Sequence, residues 1–136
     1  MPYALLVDDN TPIRAEHHAT LEQDGWNVEC ADNCDAALER MRFRRPEVVL
    51  LALQPTRVRG LRLLQEMLVD DDLRSIPRVV ISGGSDPVER RFALGLGAAA
   101  WLSSPVSPRR LLAAAWDHHS DATATVNDEE TVPNQL

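Results

Sequence analysis

The 136-residue sequence predicts a single α/β domain, a parallel sheet covered by helices on both faces. Two observations carry that expectation. The spacing of apolar residues switches between strand-like and helix-like five times in strict alternation, with connections of two to seven residues. The segment "EVVLLAL" (47–53) has no polar face at all, as a strand buried on both sides of a parallel sheet must be.

Each element has its own local signal. "YALLV" (3–7) is a short apolar run that ends at Asp8-Asp9. "TPIRAEHHATLEQDG" follows as a helix, with Thr11 as N-cap, Pro12 at the first helical position and Gly25 as the stop. "WNVEC" (26–30) alternates as a strand, and Asn33 caps "CDAALERMRFRR", apolar at 37, 38 and 41 with arginines near its end. After the 47–53 strand, Gly60 opens "LRLLQEMLVDD", with helical spacing at 61, 64, 67 and 68. "PRVVIS" (77–82) is a fourth strand, and Asp86-Pro87-Val88-Glu89 has the capping-box pattern before "VERRFALGLG". A short strand at "AAWL" (99–102) precedes a helix "RRLLAAAWDHH" capped by Ser107 and Pro108. From about Ser120 the chain turns polar and acidic without periodicity. A domain over 1–119 and a disordered acidic tail or linker over 120–136 are therefore expected.

Composition narrows the function. The net charge of −7 argues against direct nucleic-acid binding by the domain itself. No apolar run approaches the roughly 20 residues of a membrane span, and the start is not a basic leader, so a cytoplasmic location is expected. Cys30 and Cys34 cannot complete a tetrahedral zinc site and are expected to be reduced. All fourteen basic residues are arginine; the chain has no lysine.

In an open parallel sheet, ligands bind beyond the carboxyl ends of the strands. The residues there are Asp8 and Asp9, the stretch from Ala52 to Gly60, Ser82-Gly83, and Ser103-Ser104-Pro105. Adjacent carboxylates suit a hard cation such as Mg²⁺. They equally suit a solvated helix entrance, where acidic residues favour the dipole.

Together "LLVDDN", "PEVVLLAL" with its following glycine, "VVISG" and "GAAAWLSSPV" make the chain resemble a response-regulator receiver domain over residues 3 to about 117. The resemblance implies a flavodoxin-like (βα)5 doubly wound fold with strand order 2-1-3-4-5. It also implies an aspartate at the end of the third strand as phosphoacceptor, an acidic pair for Mg²⁺, a Ser/Thr ending the fourth strand, and a lysine before a proline after the fifth. Asp8 and Asp9 match the acidic pair, Ser82 the hydroxyl, Pro105 the proline and Gly60 the helix-opening glycine. The phosphoacceptor position falls on Ala52 and the lysine position on Ser104. A shift of frame puts Leu51 at the acceptor, and no acidic residue occurs between Glu47 and Glu66. An alanine methyl cannot attack phosphorus, and a serine cannot neutralise a transferring phosphoryl group.

The expected function is therefore an atypical receiver, or pseudo-receiver, that acts in bacterial signal transduction through phosphorylation-independent protein contacts. Its partners would be signalling proteins or an output domain in a longer parent chain, with no catalytic residue and at most a weak Mg²⁺ at Asp8 and Asp9. Arg57 or Arg59 would compensate the acidic pair, unless both point to solvent. Trp101 falls where the family's switch aromatic stands, and would here be an outer-face contact. The fourth helix, fifth strand and fifth helix offer Arg90, Arg91, Trp101, Arg109 and Arg110 as an interaction face or homodimer surface. The alternative is a small-ligand or nucleotide sensor at "SGGS" (82–85), which offers N–H donors before a helix. A hydrolase is disfavoured, since no G-x-S-x-G elbow or acidic nucleophile stands at the third strand. His17 reads as a satisfied, half-buried histidine on the inward stripe with Ile13 and Leu21. His18, His118 and His119 read as surface residues.

Overall fold

The structure, a computed structural model, describes residues 1–53, 58–83 and 87–120, with the backbone alone at 58–60. Five strands and five helices alternate: β1 (Tyr3–Val7), α1 (Thr11–Gln23), β2 (Asn27–Ala31), α2 (Cys34–Phe43) and β3 (Val48–Leu53). Then follow α3 (Val58–Val69), β4 (Arg78–Ser82), α4 (Pro87–Gly95), β5 (Ala100–Ser103) and α5 (Pro108–His118). All pairings are parallel, and the sheet order is β2-β1-β3-β4-β5. This is the doubly wound, flavodoxin-like order expected from the resemblance.

Period-2 alternation along the strands splits the core in two. Leu5, Val7, Val49, Leu51 and Val80 face one side with the apolar stripes of α2 and α3 and Ala93 of α4. Ala4, Leu6, Leu50, Val79 and Ile81 face the other, against Leu21 of α1 and Leu111, Ala114 and Ala115 of α5.

Several boundaries differ from the sequence reading. The N-cap of α1 is Asn10, whose side-chain oxygen accepts from the Ile13 N–H, so Thr11 is already helical. Helix α3 begins at Val58, two residues before Gly60. Its buried stripe uses Leu63, Leu64 and Met67, while Leu68 is exposed. Ile13 is also exposed, leaving His17 and Leu21 as the inward residues of α1. The fifth strand sits one residue later than expected. Asn33 and Ser107 cap α2 and α5 as predicted, accepting from Ala36 N and Arg110 N. The stretches 54–57, 84–86 and 121–136 lie outside the described residues, and with them the expected Asp86 cap and acidic tail.

Two features pin the sheet's N-terminal edge. Arg78, 3% exposed, donates through Nη1 to the carbonyls of Arg74 (2.9 Å) and Ile76 (2.8 Å). Burial pulls its guanidinium below the usual arginine range. At the other corner, Trp26 packs 4.6 Å from Trp116, whose Nε1 donates to Asp24 Oδ2 at 2.7 Å. His119 stands edge-on to both rings, so it is a half-buried packing residue rather than a surface one. Ser120 N then donates to Glu47 O, fixing the end of α5 beside the start of β3.

Gly97 is required twice. Its φ is +102°, and a Cβ there would meet Arg78 Nη2 at 2.5 Å. Gly25 has a similar φ of +98° with open space around it. Gly25→Ala should therefore cost the backbone strain alone, about 1–2 kcal/mol. Gly97→Ala should cost more, because Arg78 must also leave its two carbonyls. Urea unfolding of the two variants measures the difference; equal losses would show that Arg78 yields without penalty.

Candidate functional site

Because every strand runs in the same direction, the carboxyl ends of β1, β3, β4 and β5 meet at one edge of the sheet. Asp8 leaves β1 with its N–H still on the β2 carbonyl of Ala31 (3.0 Å). Leu53 lies opposite Ser82 and Ala52 opposite Ile81, which puts the acceptor position and the β4 hydroxyl at adjacent levels. Ser104 N donates to Ser82 O at 2.7 Å, bringing the lysine position beside the same strand end. Asp8, Ala52, Ser82 and Ser104 thus share the edge that the sequence assigned to them.

The electrostatics are those of a buried carboxylate. Asp8 is 2% exposed, and Asp9 faces solvent. Burial pushes the Asp8 carboxyl above the usual carboxylate range, and the Asn10 N–H, donating to Oδ1 at 2.9 Å, works against that rise. The neighbouring Asp9 charge adds to the rise, while His17 and Arg14 oppose it. Arg14 is a residue that sequence reasoning missed. Its Nη1 donates to Asp8 O at 2.7 Å, so a guanidinium stands against the acidic pair from within α1. The signal was available: helical side chains lean toward the N-terminus, and Arg14 lies in the first turn. Arg57 falls outside the described residues, as does the Arg59 side chain, and with them the expected compensation by either.

Ala52 is half-buried near the end of β3 and carries only a methyl. Among the described residues no group of three or more His, Cys, Asp or Glu side chains comes together. Cys30 lies in β2 and Cys34 opens α2; both are free thiols pushed up by burial. Of the "SGGS" loop, Ser82 is buried and Gly83 exposed, and residues 84 and 85 lie outside the described set.

Two further expectations change. Trp101 is not an outer-face contact: it is half-buried and packs against the core cluster shared by α2, α3 and α4. His17 is more buried than expected, 7% exposed, and its Nδ1 has no hydrogen-bond partner among the described residues, so it is not satisfied. Arg90, Arg91, Arg109 and Arg110 are all exposed on α4 and α5.

A family model described as the response regulator receiver domain matches residues 4–115. The transcriptional regulatory protein AruR of Pseudomonas aeruginosa is 32% identical over 120 residues, covering 85% of this chain and 48% of that protein. The phosphate regulon transcriptional regulatory protein PhoB of Escherichia coli is 28% identical over 109 residues, covering 80% and 48%. The chain spans about half the length of the curated relatives it matches. Among solved structures, the NtrX receiver domain of Brucella abortus superposes with a TM-score of 0.76 at 29% identity, over 84% of this chain and 95% of that one. A CheY-like receiver domain from Methanospirillum hungatei gives 0.77 at 25% identity, over 86% and 92%.

Burial holds the His17 imidazole below its ordinary 6.5, with the Asp8 and Glu16 charges opposing less strongly. The unfolded chain then binds the proton more readily than the folded one. This contribution to stability is complete above pH 6.5 and declines as pH falls through that value toward the folded pKa. Asp8, raised above its usual range, contributes in the opposite sense at lower pH. His17→Leu should flatten the decline just below pH 6.5 in urea-unfolding profiles. An unaltered slope in that variant would remove His17 as the cause.

Proposed function

The chain belongs to the response regulator receiver domain family, and we propose that it is a phosphorylation-independent receiver whose state is set by protein contacts. The observation that carries this is the alanine at position 52, at the end of β3, in a chain with no lysine. The nucleophile and the cation that handle a phosphoryl group in the resembled family are both replaced, by a methyl and by Ser104. Neither frame of alignment changes this, since 48–65 contains no acidic residue.

Resident Mg²⁺ does not fit these residues either. Mg²⁺ demands near-octahedral oxygen geometry and usually keeps its waters. Here one carboxylate is buried and already accepts the Asn10 N–H, the other is exposed, and the third position is Ala52. Asp8 has instead a local structural use: it orders the turn into α1, where acidic groups favour the helix dipole.

What remains is a scaffold with a contact face. Val88 (67% exposed) and Phe92 (58%) stand one turn apart on α4 beside Arg90 and Arg91. Across the β5 edge, Arg109 and Arg110 stand exposed on α5. Apolar and arginine side chains together make a surface suited to protein partners. The relatives are named as transcriptional regulatory proteins, and this chain matches about half of each. A partner or attached segment with a transcriptional output is the reading those names support. Receiver domains are in general signalling modules rather than enzymes, and the same is proposed here.

The test is incubation with Mg²⁺ and acetyl phosphate, read by intact mass and by ¹H–¹⁵N spectra. No mass increase and unmoved Ser82 and Trp101 amides are expected. A phosphoryl adduct would overturn the proposal. Ala52→Asp should restore a third carboxylate and raise Mg²⁺ affinity by roughly tenfold or more, given what even outer-shell groups contribute to metal sites.

A further inference from the structure

The exposed arginines differ in what holds them: Arg44 stacks over the Tyr3 ring and Arg45 donates to Asp72 O and Ser75 Oγ, neither in an ion pair. Arg40, Arg42, Arg62 and Arg74 form ion pairs with Glu29, Asp70, Asp35 and Glu66, and Asp71 respectively. Arg90, Arg91, Arg109 and Arg110, on the two helices that frame the β5 edge, form no ion pair among the described residues. A chain of net charge −7 thus carries, on α4 and α5, four exposed cations without carboxylate partners among the described residues, two of them on the helix of the exposed Val88 and Phe92.

The compensating charge lies in the same sequence. Residues 121–136 contain four acidic residues, Asp121, Asp128, Glu129 and Glu130, and no basic one, so four of the seven net negative charges belong to this segment. It begins at a fixed point, because Ser120 N is held on Glu47 O at 2.9 Å at the end of α5. From there Arg110 lies about 15 Å back along α5, at 1.5 Å per residue. Eight residues, from Ser120 to Asp128, span up to about 26–29 Å. The run Asp128-Glu129-Glu130 is therefore within reach of Arg109 and Arg110. A tethered segment meets its site at an effective concentration far above that of a free peptide.

We propose that the acidic segment 121–136 docks in cis on the arginine face of α4 and α5, and so competes with any partner of that face. This rests on the reading of the face as a contact surface, and not on whether the domain can be phosphorylated. Opposite charges on an exposed surface attract at low salt and lose that attraction as the screening length shrinks.

The experiment uses the full 136-residue chain with Asp128→Asn, Glu129→Gln and Glu130→Gln combined, compared with wild type by ¹H–¹⁵N spectra. The expected result is a set of amide shifts confined to 90–92 and 109–112. The same amides should move in wild type at about 1 M salt, where screening acts within ~3 Å, and should be indifferent to dilution. Unmoved amides in the triple variant would overturn the tail as occupant and leave the contact face available to other partners. Shifts on those amides that disappear on dilution would also overturn it, naming a second copy of the chain as the occupant and keeping the face. A failure of the phosphorylation-independent reading shows separately, as a mass adduct with acetyl phosphate.

Discussion

Strand β3 is hydrogen-bonded on both edges and buried on both faces, and the rest of the molecule follows from that constraint. A strand so enclosed has no room for polar side chains, so Val48, Val49 and Leu50 alternate between the two cores with no exposure at all. Parallel neighbours on both sides force each connection to cross over through a helix, and those helices are the cover that both faces need. The same parallel run delivers every strand's carboxyl end to one edge. Asp8, Ala52, Ser82 and Ser104 are assembled by topology, whatever chemistry they then support.

The elements whose patterns are local were legible in the sequence. Asn33 and Ser107 are caps because the side chain that satisfies the orphan N–H lies three residues away. At α1 the cap is Asn10 rather than Thr11, because Asn10 keeps an extended backbone while Thr11 is already helical, a torsion that composition does not reveal. At α3 the glycine was given more weight than the apolar Val58 before it. Arg78, His17 and Arg14 were misread or missed for a common reason. Each takes its environment from residues brought near by packing: the carbonyls of the α3–β4 turn, the Asp8 carboxylate beside α1, and the Asp8 carbonyl. The strand pattern "PRVVIS" says only that position 78 starts a strand. It does not say that an arginine there will be sealed beneath Gly97.

The carboxyl edge of the sheet keeps a polar lining in Asp8 and Ser82. A buried Asp8 with a raised pKa costs stability unless something offsets the desolvation. The Asn10 N–H supplies part of that offset, and Arg14, bound to the Asp8 carbonyl, places positive charge nearby. Asp8 is therefore tied into the β1–α1 connection and cannot be read simply as a vestige of metal binding. Ser82 is likewise held within a strand end whose carbonyl carries Ser104. Local structure is sufficient to explain why these residues fit here.

If no phosphoryl group biases the domain, the free energy for switching must come from differential contacts, since a ligand shifts an equilibrium only by what it gains in one state over another. The place where such contacts act most cheaply is the most weakly held element. Helix α4 fully buries only Ala93, whereas α2 buries four residues, Cys34, Ala37, Leu38 and Met41. At about 25 cal/mol per Å² of apolar surface, a single methyl anchors a helix far less than Leu38 and Met41 do. At the opposite corner, the end of α5 is fixed by Trp26, Trp116, His119 and the Ser120–Glu47 bond. The α4 side of the face is thus loosely held while the end of α5 is fixed. Binding there would reposition α4 against a rigid frame, and Trp101, packed into the core on the α4 side of the sheet, would carry that displacement inward.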